Sequence, residues 1–249
     1  MTQESSTINE LVTRFEAFAV SERNLYSGED NNRVGLALAQ VGRYLRFVAI
    51  TEDRYLQVSR EVAKKFWESI EATKGQSGTR TLTKKEIAEL EEDGRRSLSL
   101  QYEIESFFLF SKILLDKCAQ FVEDYFGDGR SLSLKSHRKW CKVLNEYVKA
   151  KELHVPDEMP DLMEALLVEV GEYRDKGITH QRNPRTMHGT SIYRDGEARI
   201  TTTTLYPKTS DRSFTSPVVA TVTELLEKYI ACLLQLIEQN RERSRYLLK

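Results

Sequence analysis

The chain has 249 residues, 40% of them hydrophobic, so it is long enough to bury a substantial core without disulfide support. Its 37 Lys and Arg residues are balanced by 38 Asp and Glu, which excludes the general basic excess of a nucleic-acid coat protein. Any contact with nucleic acid must therefore be local.

The cysteines and the start of the chain indicate a compartment. Cys118, Cys141 and Cys232 are odd in number and far apart, which is typical of buried free thiols under reducing conditions. The first residues lack a secretion signal, and no apolar stretch approaches the roughly 20 residues that span a bilayer. We therefore expect a cytoplasmic protein that has no membrane partner.

The first third of the chain predicts helices. Thr7 is a suitable N-cap for a first helix with one apolar stripe. The stripe consists of Ile8, Leu11, Val12, Phe15 and Phe18. Residues 26–33, YSGEDNNR, predict a break, and helical periodicity resumes over 34–74, as one rod or as two helices meeting near Thr51. Residues 74–81 predict a flexible polar loop.

The middle of the chain predicts two further helices. Thr83 and Glu86 have the spacing of a capping box, and the helix that they open extends to Phe126. Its apolar content predicts a central, buried position. Ser133 is a candidate N-cap for the next helix, which runs to about Leu153 before the prolines of HVPDEMP stop it.

A fifth helix is predicted over about 161–176, ending near Gly177, which can provide a left-handed cap. Its inward side carries Leu162, Leu166, Val170 and Tyr173. After Pro184 the pattern alternates as in strands, and Asp195-Gly196 is a strong signal for a type I′ hairpin turn.

Ser216 and Pro217 are suited to begin a last helix over about 217–246. Its inward residues are Val218, Val222, Leu225, Leu226, Tyr229, Leu233 and Leu236. The predicted fold is therefore mainly α: an antiparallel bundle of long helices with a small β-hairpin insertion at about 186–214, before the C-terminal helix. Residues 1–249 are expected to form a single domain.

Most common chemistries find no support in the sequence. None of the four histidines follows a glutamate by three residues, which argues against a di-iron bundle site. His137 and Cys141 have the spacing of half a zinc site, but no second pair accompanies them, so ordinary packing is favoured. Signatures of serine hydrolases and of P-loop or Rossmann enzymes are absent from the sequence. We expect no metal and no cofactor.

The segment from Arg174 to Arg194 stands out because five basic side chains face a single acid, Asp175. A guanidinium can grip phosphate through two hydrogen bonds, and an imidazole can transfer a proton near neutral pH. Arg174 and His180 therefore suit phosphodiester chemistry, provided that the chain leaves the helix at Gly177. The alternative is a basic helix end, in which Arg174 and Lys176 merely complement the helix dipole.

The stretch RDKGITH, residues 174–180, resembles the signature of the HEPN superfamily: Arg174, a polar residue at Asp175, and His180. The resemblance implies an all-helical homodimer in which two such motifs share one cleft, and a metal-independent endoribonuclease. In that chemistry the RNA 2′-hydroxyl attacks the adjacent phosphorus and leaves a cyclic phosphate. Arg174 would stabilise the phosphate charge, His180 would act as general acid or base, and Asp175 would orient a partner side chain.

The residues beside the motif are expected to bind RNA phosphates: Lys176, Arg182, Arg185 and His188. The strand-rich insertion and the long chain depart from the usual HEPN pattern. Three functions stay open. The first is an RNA-cleaving enzyme of toxin or defence type, with a possible protein inhibitor or regulator. The second is a non-catalytic helical module that binds RNA, a nucleotide or a protein, and the third is an enzyme acting on a small phosphorylated molecule.

Overall fold

Helices make up most of the described protein. The computed structural model describes residues 7–73, 83–127, 132–171, 186–188, 205–207 and 218–247. The helices are α1 (Thr7–Arg23), α2 (Gly28–Thr73), α3 (Lys84–Phe126), α4 (His137–Lys151), α5 (Met159–Leu166) and α6 (Val218–Gln239). Two short strands, β1 (Thr186–His188) and β2 (Leu205–Pro207), lie between α5 and α6 in the chain. The prediction of a mainly helical fold is confirmed, whereas the predicted loop at 74–81 lies outside the described residues.

α2 and α3 form a long antiparallel hairpin of 46 and 43 residues. The rings of Phe47 and Phe110, 5.1 Å apart between centroids, fix how the two helices align. The predicted alternatives at Thr51 are decided in favour of one rod, because α2 is an unbroken helix from Gly28 to Thr73. The Thr51 hydroxyl donates to the carbonyls of Phe47 and Val48 within it.

The predicted break between the first two helices exists, but its predicted bounds, residues 26–33, are wrong. Only residues 24–27 leave the helical path between α1 and α2. Gly28 adopts a φ of 58°, which favours glycine, and Glu29 and Asp30 lie in the first turn, where acidic groups complement the helix dipole. The polar composition that predicted a loop therefore belongs to a helix start.

The predicted stripe of α1 is confirmed as the side that packs against α2. Ile8, Leu11, Phe15 and Phe18 are buried and Val12 is partly buried. The Phe15 ring would lie 3.3 Å from a Cβ placed at Gly42, so the absence of a side chain there lets the two helices approach closely.

The bounds of α3 agree with the sequence, whereas the N-cap of α4 does not. α3 begins at Lys84, directly after Thr83, and ends at Phe126 as predicted. The predicted side-chain contact between Thr83 and Glu86 stays a prediction. The N-cap of α4 is Ser136, whose hydroxyl accepts from the Lys139 amide, so the prediction of Ser133 is wrong. Ser136 has the extended backbone that an N-cap requires.

α5 and α6 pack side by side in opposite directions, starting from a clamp made by the buried Asn240. Its side chain accepts from the His154 amide at 2.7 Å and donates to the His154 carbonyl at 2.8 Å. α6 ends at Gln239, earlier than the predicted residue 246, because the chain then turns into a 3-10 helix over Arg241–Arg243. Predicted inward residues of both helices are buried, among them Leu162, Leu166, Val170, Val222, Leu226, Tyr229, Leu233 and Leu236.

α5 starts at Met159, with Pro160 in its first turn, and continues beyond Leu166 as a π-helical turn over 167–171. The predicted end of this helix at Lys176, its cap at Gly177 and the inward side chain of Tyr173 lie outside the described residues.

β1 and β2 pair antiparallel, with Thr186 opposite Pro207 and His188 opposite Leu205. An unbroken ladder from a two-residue turn at Asp195-Gly196 would instead pair Thr186 with Leu205. The turn lies outside the described residues, and the predicted hairpin insertion is not confirmed.

A buried hydrogen-bond network fastens the C-terminal segment to α1 and α3. The carboxylate of Glu22 accepts from the hydroxyls of Tyr26 and Tyr125 and from Arg241 Nε at 2.8 Å. The two tyrosine hydroxyls lie 2.6 Å apart. Because Glu22 is fully buried, these contacts replace the water that its charge would otherwise need.

The clamp at the base of α5 and α6 is testable by substitution. We expect Asn240→Ala to lower the free energy of unfolding by about 2 kcal/mol, because both backbone groups of His154 lose their partner. Urea unfolding followed by circular dichroism measures the change, with Asn145→Ala on the exposed side of α4 as the control. Equal stability of the two variants would contradict a structural role for the clamp.

Candidate functional site

Six of the seven predicted site residues lie outside the described part of the chain: Arg174, Asp175, Lys176, His180, Arg182 and Arg185. The seventh, His188, is the last residue of β1 and pairs with Leu205. The described residues on either side of the motif therefore define where it leaves and rejoins the fold.

On the upstream side, the chain is held firmly up to three residues before Arg174. Leu166 and Val170 are buried, and Gly171, the last described residue here, closes the π-helical turn. π-helical turns inside α-helices are rare and frequently occur at functional sites. On the downstream side, Thr186 is paired in β1.

A buried acidic residue, Glu52 of α2, contacts α6 at this end of the bundle. Only 6% of Glu52 is exposed, and its carboxylate accepts a 2.7 Å hydrogen bond from the Thr223 hydroxyl. Sequence reasoning missed Glu52, although a signal was present: Val48, Glu52, Tyr55 and Ser59 recur on the buried side of α2. An acid at such a position indicates a specific polar contact, because burying an unpaired carboxylate is costly.

α4 carries a strongly basic surface. We call Lys135, Arg138, Lys139, Lys142 and Lys149 the basic face of α4; all five are exposed. The opposite side of the helix is buried through His137, Trp140, Leu144 and Tyr147. Glu146 is the one acidic residue of α4. This surface belongs to no motif that the sequence analysis singled out.

His137 and Cys141, the candidate half of a zinc site, contact the same backbone group. His137 Nε2 donates to the Met163 carbonyl at 3.0 Å, and the Cys141 thiol lies 3.7 Å from the same oxygen. Within the described ranges no group of three His, Cys, Asp or Glu side chains is arranged to hold a metal ion. Both residues thus join α4 to α5.

Burial also sets the protonation states of His137 and the three cysteines. It lowers the pKa of His137 to about 4 and raises the pKa of Cys141 to about 11, and it raises the pKa of Cys118 and Cys232 as well. His137 is therefore neutral at physiological pH and the thiols are protonated. These groups are poorly suited to nucleophilic or proton-transfer chemistry.

The buried imidazole predicts a pH-dependent stability. Because the pKa of His137 is about 4 in the folded protein and 6.5 ordinarily, the unfolded chain binds the proton more readily. Its stabilisation is complete above pH 6.5 and is lost as the pH falls toward 4. Between pH 7 and pH 5 we expect a decrease of about 2 kcal/mol in the free energy of unfolding.

Urea unfolding at both pH values checks this expectation. The decrease should be smaller in His137→Gln, because glutamine cannot take up the proton. The control His154→Gln changes an exposed histidine and should show the same decrease as the wild type. The same decrease in His137→Gln as in the wild type would contradict the assignment.

Comparison of the chain with protein-family models, with curated proteins and with solved structures yields no match. Across the helices described, none combines the length and apolar character needed to cross a membrane. Function must therefore be inferred from the residues and their geometry.

Proposed function

We propose that the protein is a metal-independent endoribonuclease of the HEPN type, with Arg174 and His180 as its catalytic pair. The observation that supports this most is the anchoring of the chain on both sides of the motif. Residues 172–185 follow the buried turn that ends at Gly171 and precede Thr186, which is paired in β1. A motif tied at both ends can be held in a fixed geometry, as catalysis requires.

The proposed reaction breaks one phosphodiester bond without metal. The ribose 2′-hydroxyl loses its proton and attacks the adjacent phosphorus, and the bond from phosphorus to the 5′-oxygen of the next nucleotide breaks. That oxygen leaves with a proton, giving a 2′,3′-cyclic phosphate and a 5′-hydroxyl. Arg174 stabilises the charge that develops on the phosphate oxygens, and His180 transfers a proton as general acid or base.

The remaining basic residues position the strand. Lys176, Arg182, Arg185 and His188 are proposed to contact backbone phosphates, with Asp175 orienting a neighbouring side chain. The predicted hairpin insertion at 186–214 supplies a surface for the substrate or a regulator. We further propose a cytoplasmic role in defence or as a toxin, where the buried thiols of Cys118 and Cys232 stay reduced.

The proposed enzyme is a homodimer, and an exposed apolar stripe on α3 supports self-association. The stripe consists of Ile87, Leu98, Tyr102 and Leu109, which are 46%, 67%, 64% and 43% exposed. Successive members are 11, 4 and 7 residues apart, so they share one side of the helix. Buried Leu100, Phe107 and Leu114 occupy the other side. Exposed apolar patches of this kind mark interaction surfaces.

The second candidate is a non-catalytic module that binds RNA, a nucleotide or a protein partner. The basic face of α4 favours it, because this surface is independent of Arg174 and His180. An enzyme acting on a small phosphorylated molecule gains no support from the described residues.

Cleavage of mixed RNAs in EDTA tests the first proposal. We expect the wild type to produce fragments with 2′,3′-cyclic phosphate ends, and Arg174→Ala and His180→Ala each to lose on the order of 100-fold or more in rate. Arg182→Ala and Arg185→Ala serve as controls that weaken RNA binding and its salt dependence without removing the chemistry.

Activity that survives both Arg174→Ala and His180→Ala, or that requires a divalent metal, would contradict the catalytic assignment. A wild type that binds RNA but cuts none of the RNAs would favour the non-catalytic module.

A further inference from the structure

The charge of the protein is unevenly distributed, and α4 is where positive charge collects. The whole chain has a formal charge of −1. α4 itself contains five basic residues and one acid, Glu146. Lys135, Lys139, Lys142 and Lys149 form no ion pair with the residues that the structure describes. Their ammonium groups are available to an external anion.

The basic residues are carried by one rigid helix, and the exposed acid Glu146 lies among them. Arg138, Lys142 and Lys149 are separated by 4 and 7 residues, so they line one side of the helix over about 16 Å. The start of α4 is fixed on α3, because the His137 amide donates to Asp116 at 2.9 Å and Gln120 donates to the Lys135 carbonyl at 3.2 Å. Because the helix backbone is held in place, positive side chains spaced over this length match several phosphates of an extended strand.

The composition of the face favours a phosphate backbone over other anionic partners. None of the large apolar side chains exposed in the described part belongs to α4, so the face lacks the groups that insert into a lipid surface. Its aromatic residues, Trp140 and Tyr147, are buried and unavailable for stacking on bases. Lysine ammonium groups act as point charges, which suits contact with phosphates without reading sequence.

α4 packs against α5, the helix that precedes the motif in the chain. His137 at the start of α4 contacts Met163 of α5, and eight further residues, or about 12 Å of helix, separate Met163 from Gly171. Asp157, Asp161 and Glu164, in and just before α5, are exposed acids and repel phosphate. The positively charged surface is therefore limited to α4.

We propose that the basic face of α4 binds the backbone of single-stranded RNA, with little dependence on base sequence. The choice of RNA rests on the proposed function, whereas the recognition of a phosphate backbone rests on α4 itself.

Fluorescence anisotropy with a labelled 2′-O-methyl oligouridine tests the proposal. This probe cannot be cut by 2′-hydroxyl attack, so binding is measured whether or not the protein is a ribonuclease. At about 0.1 M salt the triple variant Lys139→Gln, Lys142→Gln, Lys149→Gln should bind on the order of 100-fold more weakly, and its salt slope should fall by about 2. A 2′-O-methyl oligoadenosine should give the same result.

The matched control removes the same charge from α3 through Lys84→Gln, Lys85→Gln and Arg95→Gln, three exposed positions. It should retain wild-type affinity, and circular dichroism should show both triple variants folded. Equal losses in both variants, no loss in the α4 variant, or α4-dependent binding to phosphatidylserine vesicles without binding to the probe would each overturn the proposal.

The two proposals fail separately. Salt-dependent binding through α4 by a wild type that cuts no RNA would disprove the ribonuclease and leave the α4 surface in place. Cleavage of natural RNA with a KM that is unchanged in the α4 variant would support the ribonuclease and disprove the α4 surface. If both proposals hold, the α4 variant should raise KM and leave kcat unchanged.

Discussion

The antiparallel pairing of α5 with α6 is the constraint on which the rest of the account depends. The Asn240 clamp on His154 joins the segment just before α5 to the residue just after α6. Because the two helices run in opposite directions, the end of α5 and the start of α6 lie at the same end of the bundle. Gly171, the last described residue before Arg174, therefore lies at the end of the bundle where Glu52 contacts Thr223.

Different helices of the bundle form the core and carry the exposed surfaces. α2 and α3 provide the long hairpin that holds the core, while the outer sides of α3 and α4 carry apolar and basic surfaces respectively. A chain with almost no net charge can still present a positive surface in this way, because basic residues are collected on one helix. The two surfaces are separate, and we propose that one binds a second protein molecule and the other binds RNA.

Helical periodicity predicted the described core well, since burial repeats with the helix: Ile8, Leu11, Phe15 and Phe18 all face inward. Local capping was harder, because Ser133 and Ser136 both satisfy the sequence pattern and only the backbone distinguishes them. The basic face of α4 was missed because its lysines alternate in sequence with core residues such as Trp140 and Leu144. Projection onto a helix would have separated the two sets. The geometry of Arg174 and His180 depends on contacts distant in sequence, so their pairing stays a prediction.

Photocrosslinking tests most directly whether RNA contacts the motif and the basic face of α4. A single-stranded RNA containing 4-thiouridine would be crosslinked to the full-length protein, and the modified peptides identified by mass spectrometry. The account predicts crosslinks in peptides from α4 and from residues 172–188. Crosslinks confined to α1 and α2, with none in either predicted region, would contradict it.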